Sequence, residues 1–232
     1  MQTFASVTPG RERWAGGQAL RRHRHQRGYV CLVLAGGYEE AGDHGRFRVS
    51  AGDAIFHQPF EAHLDRFSAT GADTVNFEMD GWSDKPMGLA RLADPDLIAR
   101  IAERDPTEAR DILVAAAAQA CSSVKDWPEE LAHSIRQDHN LTLGDWAQTR
   151  GLARETLSRG FRLVYEVSPC AFRTQMRARH AWRCIMRSTA ALSTIALDTG
   201  FADQAHMTRA VGLLTGRTPA QWRDMRSNIF KT

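Results

Sequence analysis

The chain writes one short pattern twice, about fifty residues apart, and this repeat constrains its fold more than any other feature. The first copy runs Leu143-Gly144-Asp145-Trp146-Ala147, then Gly151-Leu152, then Thr156-Leu157-Ser158-Arg159-Gly160-Phe161-Arg162. The second runs Ile195-Ala196-Leu197-Asp198-Thr199-Gly200-Phe201, then Asp203-Gln204-Ala205-His206-Met207-Thr208-Arg209-Ala210-Val211. In each, a short segment of helical apolar spacing stops at a glycine, and a second helical segment follows within a few residues. Thr142 stands where a helix cap is wanted, with Asp145 three residues on. Gly151 supplies the left-handed residue that ends that helix.

The second helix of each copy divides into two faces. Leu157 and Phe161 are four residues apart and point inward, leaving Arg154, Glu155, Ser158, Arg159 and Arg162 outward. In the second copy Met207 and Val211 point inward, and Gln204, His206, Thr208 and Arg209 outward. Guanidinium, amide and hydroxyl groups on an exposed helix are what major-groove readout of DNA uses, a bidentate Arg–guanine pair being worth about 1–3 kcal/mol of discrimination. One such helix would be read as a solvated face, whereas two matching helices point to groove recognition. The segment between them, from Ser168-Pro169 to Arg187, contains no further Gly or Pro. As a helix its nineteen residues from Pro169 span roughly 28 Å. That rod suits two units set about one turn of DNA apart, near 34 Å. Its Arg173, Arg177, Arg179, Arg183 and Arg187 are available for phosphate or for a solvated face.

Charge sits with the repeat. The net charge of +3 conceals a half from 126 to 232 that holds 15 of the 30 basic residues but only 10 of the 27 acidic ones. Such asymmetry suits a polyanion-binding module joined to a neutral partner. Cys31, Cys121, Cys170 and Cys184 form no C-x-x-C pair, so they read as buried free thiols rather than a disulfide frame or thiolate zinc site. The longest apolar run, Ile112 to Cys121, is too short to cross a bilayer, and no leader pattern opens the chain. A cytoplasmic protein without membrane contact is expected.

The front of the chain reads as short strands at Tyr29–Leu34, Arg46–Val49, Ala54–His57 and Asp73–Glu78, separated by Gly36-Gly37 and Gly52-Asp53, a spacing that suggests a small barrel or sandwich. Between 87 and 124 the spacing becomes helical. Asp94-Pro95 and Asp105-Pro106 each offer a cap followed by proline, with Glu108 completing a capping box. The stripes Leu97, Ile98, Ile101 and Ile112, Leu113, Ala116, Ala117, Ala120 either cover the strands or form a dimer interface. A boundary is expected near Ser122–Asp126, before Trp127-Pro128 opens the next helix.

Residues 128–226 resemble the AraC/XylS family of bacterial transcription regulators. The pattern I-A-x-x-x-G-F-x-D-x-x-x-x-x-R appears as Ile195, Ala196, Gly200, Phe201, Asp203 and Arg209, and G-x-T-P-x-x-[YW]-R as Gly216, Thr218, Pro219, Trp222 and Arg223. The connecting-helix pattern R-[LA]-x-x-A recurs as Arg177, Ala178 and Ala181. This resemblance places Arg154, Glu155, Thr156, Ser158, Arg159 and Arg162 on a first recognition helix and Gln204, Ala205, His206, Thr208 and Arg209 on a second. The chain departs from the family at Ala205, Met207, Val211 and Gly212, the last costing about 1 kcal/mol against alanine inside a helix. It departs again at Ala153, which stands where a capping serine is usual.

Residues 21–77 resemble a small cupin barrel through His23-x-His25, Gly36-Gly37, Gly52-Asp53, Pro59 and His63. Alternate strand residues share a face, so His23 and His25 point together, and His57 and His63 flank the Pro59 turn. Four neutral imidazoles suit zinc, nickel, copper or iron. They also suit contacts to an organic effector, or a purely structural role. The glutamate the cupin pattern expects soon after the second histidine is absent, Gly28, Tyr29 and Val30 standing there.

The expectation is therefore an α+β chain: a cupin-like β-barrel sensing domain over 1–84, a helical linker that dimerises the chain over 85–125, and an all-α domain with two helix-turn-helix units over 126–232. Its function would be sequence-specific binding of promoter or operator DNA, controlled by a small molecule or a divalent metal such as zinc, without catalysis. Two alternatives are a DNA-binding regulator lacking an effector and a cupin metalloenzyme fused to a DNA-binding domain.

Overall fold

Residues 4–79, 88–116 and 124–229 are described by the computed structural model of the chain. Residues up to Glu129, with Val164–Glu166, make one compact unit; Glu130–Leu163 and the chain from Val167 onward make the other. Among the described residues no helix is long and apolar enough to cross a membrane.

The first unit is built on an antiparallel sheet of β1 (Gly10–Trp14), β2 (Ala19–Arg24), β3 (Gly28–Gly42), β4 (Gly45–Ser50), β5 (Asp53–His57), β6 (Ala62–Met79) and β7 (Leu89–Arg91). Two long strands form its spine, β3 pairing with β6 from Gly28↔Met79 to Gly42↔His63. The register slips between Val33 and Ala35 and between Gly36 and Tyr38, so both strands bend there. Gly36 makes the bend possible. Its φ is +69°, and a Cβ on it would lie 2.0 Å from the carbonyl oxygen of Gly71 across the ladder.

Alternation sorts the side chains into two cores. Val30, Leu32, Phe56, Val75 and Phe77 face one way. Tyr29, Cys31, Val33, Ile55 and Phe67 face the other. With both faces buried, β3 can be apolar without interruption at its start. The strand order runs β1-β6-β3-β5-β7, with β2 beside β6 and β4 beside β3, so the sheet is open and the expected closed barrel is not formed. Of the strands read from the sequence, Tyr29–Leu34 and Asp73–Glu78 are parts of much longer ones; β2 was met only through the shared face of His23 and His25, and β1 and β7 were not anticipated.

Helices α1 (Pro95–Ala102) and α2 (Pro106–Ala116) are capped as expected. Asp94 accepts from the Leu97 amide at 2.8 Å, and Asp105 from Thr107 and Glu108 at 2.9 and 3.0 Å. Their Ile98, Ala109 and Leu113 join the first core, so these helices cover the sheet. Leu97, Ile112 and Ala116, read as stripe residues, stay exposed. Ala117, Ala120, Cys121, Ser122 and Ser123 lie outside the described residues. Cys31 is buried, but Cys170 is exposed, against the expectation of buried thiols.

The second unit is helical. It holds most of α3 (Trp127–Gln137), then α4 (Leu143–Thr149), α5 (Arg154–Tyr165), α6 (Pro169–Arg187), α7 (Leu192–Asp198), α8 (Gln204–Thr215) and α9 (Pro219–Ile229). Leu131, Ile135, Phe161, Phe172 and Ile185 fill its core, each fully buried.

Candidate functional site

The two copies of the repeat fold alike down to single hydrogen bonds. After α4, Gly151 takes φ +63° and the Leu152 amide reaches back to the Ala147 carbonyl at 2.9 Å. After α7, Gly200 takes φ +79° and the Phe201 amide reaches Ala196 at the same 2.9 Å. Both are glycine C-caps of the type that satisfies a helix's last carbonyls. The correspondence extends to the exits of α5 and α8, where Glu166 and Gly216 both adopt positive φ, and where Ser168-Pro169 and Thr218-Pro219 open the next helices. The cap at Ser168 accepts from Ala171 at 3.2 Å. Thr142 sits at the start of α4 but its side chain makes no cap hydrogen bond, unlike the sequence expectation. Asp203 caps α8, accepting from His206 at 2.7 Å, while α5 follows Ala153 with no such acceptor.

Aligned fifty residues apart, α5 and α8 bury and expose the same positions from Arg154/Gln204 to Arg159/Arg209. Leu157 and Phe161 match Met207 and Val211 inside; Arg159 matches Arg209 outside; Ser158 and Thr208 are both half-buried. Arg154, Glu155, Thr156 and Arg162 are exposed on α5, and Gln204, Ala205 and His206 on α8. The His206 ring packs edge-on against Phe201, with centroids 5.1 Å apart, which restrains it. The helix α6 has the expected nineteen residues. Its arginines are largely used inside the unit: Arg173 donates to the Leu141 carbonyl, Arg177 to the His139 carbonyl at 2.8 Å and Asn140 Oδ1 at 3.0 Å, and Arg179 is buried. A phosphate role for those three, open on sequence grounds, is thereby taken up by internal contacts.

In the first unit a cavity of about 360 Å³ lies within the sheet, walled by Trp14, His23, His25, Tyr29, Tyr38, Glu40, His63, Asp65 and Asn76 among others. His23 and His25 do share a face, with rings 5.0 Å apart. The four predicted histidines do not make one set. His23, His25 and His63 bring ring nitrogens within 4.8 Å of one another, whereas His57 groups with His63 and Glu40. His63 belongs to both groups.

Burial dominates the electrostatics here, because a buried site penalises the charged form of each group. It lowers His23 to about 4 and His25 to about 3, with the neighbouring His63 adding to both. His57 and His63 are pushed down by the same cause. Burial raises Glu40 to about 8 and Asp65 to about 7. These shifts all favour the neutral imidazole, the form able to act as a ligand or as a neutral hydrogen-bonding group.

Glu40 and Asp65 escaped the sequence reading. Glu40 lies beyond the glycine bend of β3, where the register slip brings it to the inner face, although simple alternation from Tyr29 would have put it on the other one. The one available signal was Tyr38-x-Glu40 leading into a Gly42-Asp43-His44-Gly45 turn.

A helix-turn-helix domain family matches residues 130–225 of the chain. The virulence regulon transcriptional activator VirF of Yersinia enterocolitica and the thermoregulatory protein LcrF of Yersinia pestis are each 27% identical over 99 residues, 41% of this chain and 36% of theirs. The match thus spans about a third of the length of these relatives. Among solved structures, a probable AraC family transcriptional regulator from Rhodopseudomonas palustris is similar at a TM-score of 0.39 and 19% identity, over 41% of this chain and 93% of that one. ToxT from Vibrio cholerae, solved with an unsaturated fatty acid bound, is similar at 0.41 and 10% identity, over 92% of this chain and 93% of that one. The duplicated turn-and-helix geometry and the sequence match meet on the same residues, so the segment 130–225 is a helix-turn-helix domain both by its fold and by its family match.

Proposed function

We propose that the chain is a sequence-specific DNA-binding transcription regulator in which α5 and α8 read successive major-groove segments and the cavity of the sheet unit holds a small polar effector. The observation that carries the DNA-binding part is the matched exposure of the two helices. Each presents a polar, arginine-bearing face, anchored from behind by two buried side chains one turn apart. Arg154, Glu155, Thr156, Ser158, Arg159 and Arg162 would meet one groove segment, and Gln204, Ala205, His206, Thr208 and Arg209 the next. The relatives named as a transcriptional activator and a thermoregulatory protein support the same reading. For the effector, the cavity's size falls in the ordinary range for small-ligand sites, and its wall mixes aromatic faces with a few convergent polar groups.

The test is selection of bound sites from random DNA by the purified chain, followed by the same selection with Arg159→Ala. Loss of a bidentate base contact lowers affinity for the selected site by about 1–3 kcal/mol, roughly 5- to 150-fold, and leaves binding to unrelated DNA nearly unchanged. Equal losses on every sequence would make Arg159 a phosphate contact. A ligand of the cavity should raise the unfolding midpoint and shift operator affinity without being consumed. Turnover of that ligand would instead make the sheet unit an enzyme.

A further inference from the structure

Glu40, His57 and His63 meet inside the sheet unit in an arrangement that protons alone do not satisfy. Glu40 is 0% exposed, and the two histidines 3% each. Glu40 Oε2 lies 3.4 Å from His57 Nε2 and 3.6 Å from His63 Nδ1. None of these three atoms has a hydrogen-bond partner among the described residues, and neither has Glu40 Oε1. Buried polar atoms are normally paired, so three unpartnered atoms lying this close together require an explanation.

A chain of hydrogen bonds fixes which nitrogen of His63 bears its proton. His23 Nδ1 stands 2.8 Å from the Arg21 carbonyl oxygen, which only accepts, so that nitrogen donates. The neutral His23 ring then has a bare Nε2, 2.9 Å from His63 Nε2, and His63 must donate there. Its Nδ1 is left with a lone pair, 3.6 Å from Glu40 Oε2. A proton on Glu40 would serve one imidazole at most, and separations of 3.4 and 3.6 Å exceed those of a hydrogen bond between such groups.

A cation between them resolves the conflict. Ligand atoms at the 2.0–2.1 Å bond lengths of tetrahedral zinc are separated by about 3.3–3.4 Å, close to the 3.4 and 3.6 Å that separate Glu40 Oε2 from the two ring nitrogens. We infer that Glu40 Oε2, His57 Nε2 and His63 Nδ1 bind a divalent transition metal of the zinc type. One carboxylate and two imidazoles are a standard ligand set for such an ion, and three protein ligands leave a position for water or an effector oxygen. The surroundings already orient the set. His23 holds His63 through its second nitrogen, and the Tyr29 ring stacks on His57 with centroids 4.4 Å apart. Glu40 and His63 also line the cavity, but metal binding here depends neither on what the cavity holds nor on DNA recognition.

The experiment is titration of the untagged, chelator-treated full chain with zinc by calorimetry and with cobalt(II) by visible absorption, alongside Glu40→Gln, His57→Asn and His25→Ala. The expected result is one equivalent bound, with the intense visible bands of four-coordinate cobalt. Glu40→Gln and His57→Asn should each weaken zinc more than tenfold, since even groups behind the ligands are worth about 10- to 100-fold. His25→Ala should keep the equivalent and the bands. No binding by the parent chain overturns the inference. So does binding that survives Glu40→Gln but is lost in His25→Ala, which would move the ion to His23, His25 and His63. Circular dichroism of each variant shows whether it folds. Should Glu40→Gln not fold, His57→Asn and the parent chain's cobalt spectrum decide the matter.

Discussion

Replacing Phe161 with alanine should lower the stability of the helical unit by about 3–5 kcal/mol, a large part of what a domain this size possesses. Phe161 is fully buried at the centre of α5 and meets Phe172 of α6 edge to face, with centroids 5.4 Å apart at 74°. Truncation removes the transfer energy of the ring, leaves a cavity, and loses an aromatic pair worth about 0.5–1.5 kcal/mol beyond its area. DNA binding should fail with it, because Phe161 is one of the two side chains that hold the polar face of α5 outward. Urea unfolding followed by near-ultraviolet circular dichroism measures this. Leu163→Ala is the control: at 77% exposure it should change stability by no more than about 0.5 kcal/mol. Similar losses in both variants would mean that α5 is not oriented as described.

The two turn glycines should respond unequally to alanine although they hold equivalent places in the repeat. A Cβ on Gly151 meets nothing within 4 Å, so Gly151→Ala carries only the left-handed backbone penalty of about 1–2 kcal/mol. A Cβ on Gly200 would lie 2.2 Å from Asn140 Oδ1 and 3.1 Å from Arg177 Nε. Relief requires moving Asn140 off Arg177, which donates to it at 3.0 Å. Overpacking of this kind adds about 1–3 kcal/mol, so Gly200→Ala should lose about 2–5 kcal/mol in all. Equal unfolding midpoints for the two variants would show that the Asn140–Arg177 contact yields without cost.

The helical unit was legible because its signals are local. A glycine after a short apolar segment and a Ser-Pro or Thr-Pro pair before a helix act within a few residues, and two copies confirm each other. Thr142 shows the limit: a good capping residue in the right place still points its hydroxyl elsewhere. The sheet unit was read less well. Its long strands bend at Gly36 and Gly71, and the shift in register there carries Tyr38 and Glu40 to a face that counting by twos from Tyr29 does not give. The histidines were found, but their grouping depends on pairings such as His23↔His63, between residues forty positions apart. The arginines of α6 looked like a surface row, because no local pattern reveals that the 139–141 loop offers its carbonyl groups to Arg173 and Arg177.

That loop has a dynamic consequence. His139, Asn140 and Leu141 precede the first helix-turn-helix unit, Arg173 and Arg177 sit on α6, and Gly200 closes the turn of the second unit directly over Asn140 and Arg177. One small polar cluster is thus shared by all three parts, so the opening of any one of them is expected to disturb the others. Native-state hydrogen exchange should find the Leu152 and Phe201 amides, each held by its own glycine cap, becoming solvent-accessible with one common opening free energy. If α5 and α8 read DNA as proposed, helices that fluctuate as a single body would present a fixed phase to a double helix and would tolerate no change in the number of base pairs separating the segments they read.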